Sequence, residues 1–398
     1  MHHLLITILC LATLTYHVFP IETAVVPVPS RPRGINLQLF SDHFLRSFQV
    51  FGTRKGLILV VDNHARRLPA NTRIKVLSRL GSVGLITQYG QITGHRITLI
   101  PETDDFLEVQ VTDQRLPFTG DLTIQAVNKQ LHLTLSVAPT TYLAGVVSAE
   151  MPFLQIEALK AQAVLARTYV YRHLITSKRK NLGDTETNQV FRINPVTLSA
   201  AQKAVTETAN EMLFWQNKPV EALFSASNGG YIATNNTVWH SDPLPYFISR
   251  PDSFDSNNAF SEWSVQADLH SLHTHLSNIY GSNVSSLDWT EKDASGRWKY
   301  ALVAGKRIPA NQVRAEISRF FRNGGLRSLC FEMQVEKGFY IAKGRGAGHG
   351  VGLSQLGARR MAEQGKTYQE ILAYYFPKTN LVRQLFDGKP TSSAHTTP

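Results

Sequence analysis

The chain has 398 residues, 41 Lys and Arg against 30 Asp and Glu, and a formal net charge of +11 at pH 7. With 43% hydrophobic and 18% charged residues it has the composition of a folded protein rather than a disordered one, and its length calls for two or three domains. Two cysteines, Cys10 and Cys330, exclude a disulfide framework and a cysteine-rich zinc site, while the basic excess points to nucleic acid, anionic lipid or an anionic polymer.

In chain order, the apolar stretch from Leu4 to Val18 precedes the first Lys or Arg, Arg31, and only His2 and His3 stand ahead of it. It is short for a spanning helix, which needs about 20 apolar residues. Residues 1–24 therefore read as an export signal or an N-terminal membrane anchor, followed by a Pro-rich linker over 25–34. Export would place the protein in the periplasm, in the cell wall or on the outer face of the cytoplasmic membrane. From 35 to 139 the segments GLILVVD, RIKVLSRL, HRITLI, LEVQV, LTIQAV and LHLTLSV alternate and are separated by Gly, Asn and Asp turns. That pattern predicts a β-rich accessory module, and nothing in it looks catalytic.

The texture changes at Thr140. Pro152 opens a pattern that predicts one long helix through PFLQIEALKAQAVLARTYVYRHLI, with an apolar stripe at Ile156, Ala163, Ala166 and Val170. A second helix is predicted at LSAAQKAVTETAN, then strands at MLFWQ and PVEALFSAS. Residues 262–342 mix a polar helix, strands around WKYALVAG and a helix at NQVRAEISRF. A glycine-rich loop, Gly344 to Gly352, leads to helices at SQLGARRMAEQG and YQEILAYYF. The tail, 386–398, reads as disordered. The fold class expected is α+β: a mixed helix and strand domain over 140–385 behind the β-rich module.

Several constellations bear on chemistry. Glu150 stands just before the predicted long helix, where helix-dipole complementation is explanation enough. Burial beside Met151 and Phe153 would instead suit it to general acid work. Glu157, seven residues on, would lie roughly 10 Å along a continuous helix, too far for the paired carboxylates of a retaining glycosidase. The five alternate glycines from Gly344 to Gly352 permit close backbone approach to a ligand but do not spell a dinucleotide fingerprint. Gly365-Lys366-Thr367 lacks the upstream glycine of a phosphate loop, and Ser354 with His349 lacks a nucleophile elbow. His270, His273 and His275 have no HExxH or cysteine companion and read as a solvated helix face. The basic run at 178–180 and the other cations form no aromatic-interleaved stripe, so no nucleic-acid partner is expected.

Together, YLAGVVSAEMP, EALKAQAVLARTYVY, DTETNQVF, an SxxxGG segment with VW and PYF, SGRW, LRS, GRGAGHGVGLSQLGARRMAEQG and YQEILAYYFP resemble the stage II sporulation protein D family, also called the SpoIID/LytB domain. The resemblance runs from about Thr140 to Thr379. It implies a lytic transglycosylase acting outside the cytoplasmic membrane on peptidoglycan glycan strands whose stem peptides an amidase has removed. Mapped onto this chain, the catalytic acid is Glu150. The same mapping offers Lys160 and Arg167 on one helix face for sugar hydroxyls or the lactyl carboxylate, Tyr246 for ring stacking, and His349 and Gln355 where the glycine loop nears the cleft. Family members commonly carry a histidine where Ser225 stands, with zinc ligands nearby in some. Here no cysteine is close, and neither metal nor cofactor is expected. The family's "amidase enhancer" label implies a second reading, a non-catalytic wall-binding protein that stimulates an N-acetylmuramoyl-L-alanine amidase. A third, an anionic-polymer scaffold, uses only the charge and the β module.

Overall fold

A computed structural model describes residues 34–385 except 53, 103–105, 178–181, 184–190, 192–195 and 282, together with Val26 and Pro27. The export or anchor segment, most of the linker, the basic run at 178–180, all of DTETNQVF but Phe191, and the tail lie outside the described residues. The chain divides into two compact units, one built on 36–137 and the other on 138–385. The molecule is α+β, with β-sheets first and a mixed helix and strand region after them.

The first unit contains β1 (Ile35–Leu39), β2 (Ser47–Phe51), β3 (Leu57–Val61), β4 (His64–Leu68), β5 (Arg73–Arg79), β6 (Ser82–Thr87), β7 (Gly90–Gly94), β8 (Arg96–Pro101), β9 (Leu107–Val111), β10 (Gln114–Phe118), β11 (Asp121–Val127) and β12 (Gln130–Val137). They form two sheets, ordered β1-β12-β11-β8-β3-β4 and β10-β9-β2-β5-β6-β7. Alternation puts one side of each strand inward: Leu57 and Leu59, Ile74 and Val76, Ile97 and Leu99, and Leu122 and Ile124 are all buried. Two of the hairpins in this unit turn on residue pairs that lack glycine and yet have positive φ throughout. Asp62-Asn63 joins β3 to β4 and Asn128-Lys129 joins β11 to β12, all four residues having positive φ, the geometry that suits the strands' twist.

In the second unit the long helix expected from Pro152 is a single helix that starts four residues later, at Ile156, and a further helix that the sequence reading did not name precedes it. Helix α1 (Pro139–Glu150) starts with Pro139 in its first turn and stops at Met151, whose φ of −124° and ψ of 83° are extended. The cause is Pro152, which restricts the residue before it to extended backbone. This proline ends one helix rather than starting another. Helix α2 (Ile156–Thr176) follows, with 13 side chains buried on nearly every side of it, not along one stripe. Small residues such as Ala158, Ala161, Ala163 and Ala166 let neighbours approach: α1, α3 (Leu198–Glu207), α7 (Gln355–Glu363), α8 (Tyr368–Tyr375) and the strand Glu211–Trp215 all pack on it. The strand-like reading of PVEALFSAS contracts to two short pairings, Lys218–Pro219 and Phe224–Ser225.

Between them lie α4 (Asn235–Trp239), α5 (Leu269–Tyr280) and α6 (Ala310–Ile317). Residues 263–342 share a core of their own, including Trp263, Leu272, Val303, Val313 and Phe331. Two antiparallel three-stranded sheets border it. One orders Trp263–Asp268, Phe339–Gly344 and Phe331–Glu336, and the other orders Leu287–Lys292, Trp298–Val303 and Lys306–Pro309. Among the described residues, no helix is long and apolar enough to cross a membrane.

Candidate functional site

The break before Pro152 sets the position of Glu150, which is the last residue of α1 and half-buried. It stands at the C-terminal end of a helix, not ahead of an N-terminus as the sequence reading had it. The Gln355 side-chain amide reaches its carboxylate at 3.5 Å, the outer limit of a hydrogen bond. Gln355 is the first residue of α7, directly after the capping Ser354, so the two elements bring Glu150 and Gln355 together. Tyr142, in the same helix, has its phenol pushed up by burial, with Tyr169 and Glu150 adding to the effect.

Glu157 belongs to a different helix from Glu150 and serves structure. It accepts from Lys160 Nζ and from the Tyr368 backbone N–H, both at 2.8 Å, tying α2 to the start of α8. Lys160 is held between Glu157 and Glu207, each at 2.8 Å. Burial works against its ammonium, but the two carboxylates outweigh that and raise its pKa.

Arg167 and Tyr246 lie in the interior. Arg167 is 2% exposed, and its guanidinium donates to the Glu211 and Val205 carbonyls at 2.9 and 3.1 Å. Burial, opposed by Glu211, lowers its pKa to about 10. Tyr246 is 3% exposed and its hydroxyl accepts from the Glu221 N–H at 3.0 Å, while its ring packs on Trp215 and Phe247. Both were expected at the surface of a cleft, and both are interior braces. A basic or aromatic side chain that finds partners inside loses its reason to face water.

The glycine loop approaches protein rather than an open site. An added Cβ on Gly348 would meet Ser225, on Gly350 the Arg297 guanidinium, and on Gly352 the Leu223 carbonyl. The loop is laid along residues 223–229, bridging Ser227 to Ala347 and pairing Phe224 and Ser225 with Leu353 and Ser354. Ser225, in the place of the family histidine, accepts the Gly350 N–H at 3.3 Å. His349 is half-buried, with Trp239 against its ring at 5.0 Å between centroids. Val351 N–H donates to its Nδ1 at 3.0 Å. Burial and the Arg297 guanidinium drive its pKa down to about 4, so at neutral pH the ring is uncharged.

A polar cluster beneath the loop was not anticipated. Asp255, 1% exposed, accepts from the Ser227 and Ser354 hydroxyls and from the Asn228 and Gly229 backbone N–H groups. Burial raises its pKa against those donors. Asp252 accepts from the Asn228 amide at 2.6 Å and the Tyr375 hydroxyl at 2.8 Å. Arg297, 2% exposed, donates to the Asn228 and Tyr231 carbonyls. The SxxxGG and SGRW segments hold Asn228 and Arg297, and that was the available signal; nothing in the sequence marked Asp252 or Asp255.

Ser354 caps α7 through the Gly357 N–H at 3.1 Å and has no contact with His349 among the described hydrogen bonds. The three histidines of α5 diverge. His270 is exposed, His273 bonds the Tyr340 hydroxyl at 2.7 Å, and His275 packs on Phe320. The solvated-face reading therefore holds for His270 alone. No group of three or more metal-ligating side chains occurs among the described residues. Cys330 is buried, in no disulfide among the described residues, and its thiol donates to the Ser295 carbonyl at 3.7 Å.

Parts of the chain are similar in sequence to known proteins. Residues 127–215 match the family model SpoIID, Stage II sporulation protein, and residues 233–352 match a domain of unknown function. Stage II sporulation protein D of Bacillus amyloliquefaciens is 30% identical over 267 residues, covering 62% of this chain and 74% of that protein. Its counterpart in Bacillus subtilis (strain 168) is 29% identical over 258 residues, 60% of this chain and 73% of the relative. The amidase enhancer of Bacillus subtilis (strain 168) is 27% identical over 291 residues, 60% of this chain but 40% of the relative. With segments from Tyr142 to Phe376 in the family's order and a relative matched over three quarters of its length, the chain belongs to the stage II sporulation protein D family.

Proposed function

We propose that the protein is an exported peptidoglycan lytic transglycosylase. It cleaves the MurNAc–GlcNAc bond of glycan strands already stripped of their stem peptides, leaving 1,6-anhydro-MurNAc ends, in wall remodelling at engulfment or division. The observation that carries this reading is the position of Glu150, a half-buried carboxyl at the last turn of α1 within reach of Gln355. The negative end of the helix dipole lies beside it.

In the reaction, Glu150 protonates the glycosidic oxygen as the bond from the MurNAc anomeric carbon breaks. The 6-hydroxyl of the same MurNAc closes on that carbon and its proton returns to Glu150. One carboxyl suffices because the nucleophile is the substrate's own hydroxyl, in keeping with Glu157 being occupied by Lys160 and Tyr368. Gln355 is suited to hold the carboxyl in place, and Lys160, already neutralised by two carboxylates, to shape the helix flank.

The test is product analysis by mass spectrometry after incubation with amidase-treated peptidoglycan. Wild-type protein should release anhydro-ended saccharides, and Glu150→Gln should release none while still sedimenting with the strands. Undiminished turnover in that variant would remove Glu150 as the acid. The resemblance to the amidase enhancer supports one other reading, a wall-bound stimulator of a partner amidase. That reading would be favoured if purified protein accelerates an amidase and yields no anhydro product.

A further inference from the structure

A cavity of ≈ 700 Å³ opens beside the strand Phe339–Gly344, within the size range of ligand sites. Three cations and two carboxylates line it: Lys292, Lys343 and Arg345, and Glu262 and Glu332. Lys292 and Glu332 are bonded to each other. Lys343 faces Glu332 on one neighbouring strand and Ser264 on the other. Lys343 and Arg345 sit two residues apart and are both exposed. Neither head group makes a hydrogen bond or ion pair within the protein among the described residues, although the Arg345 backbone is fixed by Cys330 and Ser328. The lining thus carries one positive charge in excess, presented by two cations whose backbone is held but whose charged ends are unengaged.

We infer that this cavity is a subsite for a single carboxylate, the lactyl carboxylate that a muramic acid residue bears once its stem peptide has been removed. The inference rests on the proposed substrate. An intact stem peptide converts that carboxylate to an amide, so a denuded strand differs from an intact one by one negative charge per disaccharide at this group. An Arg and a Lys side by side recognise such a group by charge-assisted hydrogen bonds. One excess charge suits a monoanion better than a phosphate diester backbone running along a broad basic stripe. Arg345 also lies in the glycine loop that runs on, through Ser354, into Gln355 at the start of α7, and Gln355 meets Glu150.

The experiment measures equilibrium binding of the full chain to three strand preparations: denuded, denuded with the lactyl carboxylates converted to methylamides, and intact with stem peptides. Wild-type protein should bind the denuded strands about tenfold more tightly than either other preparation, the scale of one charge-assisted contact. The Lys343→Gln/Arg345→Gln variant should bind all three alike at the weaker level, with an unchanged thermal unfolding curve. Equal wild-type affinity for denuded and methylamidated strands would overturn the inference, as would equally tight binding to intact strands. Glu150→Gln should keep the preference. Discrimination without Glu150-dependent cleavage would retain the subsite and reject the enzyme, and cleavage without discrimination would do the reverse.

Discussion

Gly350 and Gly365 have nearly the same positive φ, 76° and 80°, but different surroundings. A methyl on Gly365 enters open space, so Gly365→Ala should cost only the left-handed backbone penalty, about 1–2 kcal/mol. On Gly350 the methyl would run into the Arg297 guanidinium, a buried cation whose bonds to Asn228 and Tyr231 leave it nowhere to go. Gly350→Ala should then cost about 3–5 kcal/mol, the range for disrupting a buried charged network. Urea unfolding of the two variants measures the gap, and equal losses would show that the loop yields. The dense glycines were legible as a demand for close approach, but not the identity of the approaching group. Arg167 and Tyr246 show the same limit. Their types and spacing suited a sugar site, yet the carbonyls of Glu211 and Val205 and the N–H of Glu221 decide which way they point, and those partners are 25 to 44 residues away.

The short helices at the site depend on their caps. Ser354 accepts the Gly357 N–H and donates to Asp255, so Ser354→Ala removes a cap and leaves a buried carboxylate short of a donor. A loss of about 2–4 kcal/mol is expected. Thr367, in an exposed capping box with Glu370, should cost about 1 kcal/mol when replaced by Ala. Calorimetric unfolding checks the ratio; a Ser354→Ala loss as small as that at Thr367 would mean that Asp255 finds another donor. Helices α7 and α8 and the alternating strands were readable because their signals are local: a hydroxyl cap, an acidic third position, a period of two. The division between α1 and α2 was readable too, had Pro152 been weighed as a stop. Its restriction on Met151 and its place in a first helical turn are competing local rules, and the burial of Tyr142, Val146 and Val147 beyond it favoured the stop.

At the scale of the molecule, the net charge of +11 would make the proposed association with an anionic glycan a salt-dependent process. Screening shortens the reach of these charges from about 10 Å at 0.1 M to 3 Å at 1 M salt. Affinity for denuded strands should fall over that range, and less steeply in the Lys343→Gln/Arg345→Gln variant; salt-independent binding would deny the charge a role. Acid bears on the fold differently. His349 has a pKa of about 4 in the folded protein, below the ordinary 6.5, because burial and Arg297 oppose its charging. Between those values the unfolded chain binds the extra proton, so stability is intact above pH 6.5 and is lost as pH falls towards 4. The carboxylates whose pKa values are lowered, such as Glu207, Glu291 and Glu370, add losses of the same sign only below about pH 4.5. Asp255 acts oppositely, since its raised pKa lets the folded state hold a proton more readily as acid is added. The midpoint of thermal unfolding should therefore begin to drop below pH 6.5, before the surface carboxylates titrate. His349→Gln should flatten the curve between pH 6.5 and 5 and leave its steeper fall below 4.5. A variant curve that still declines from pH 6.5 would assign the early loss to a group other than His349.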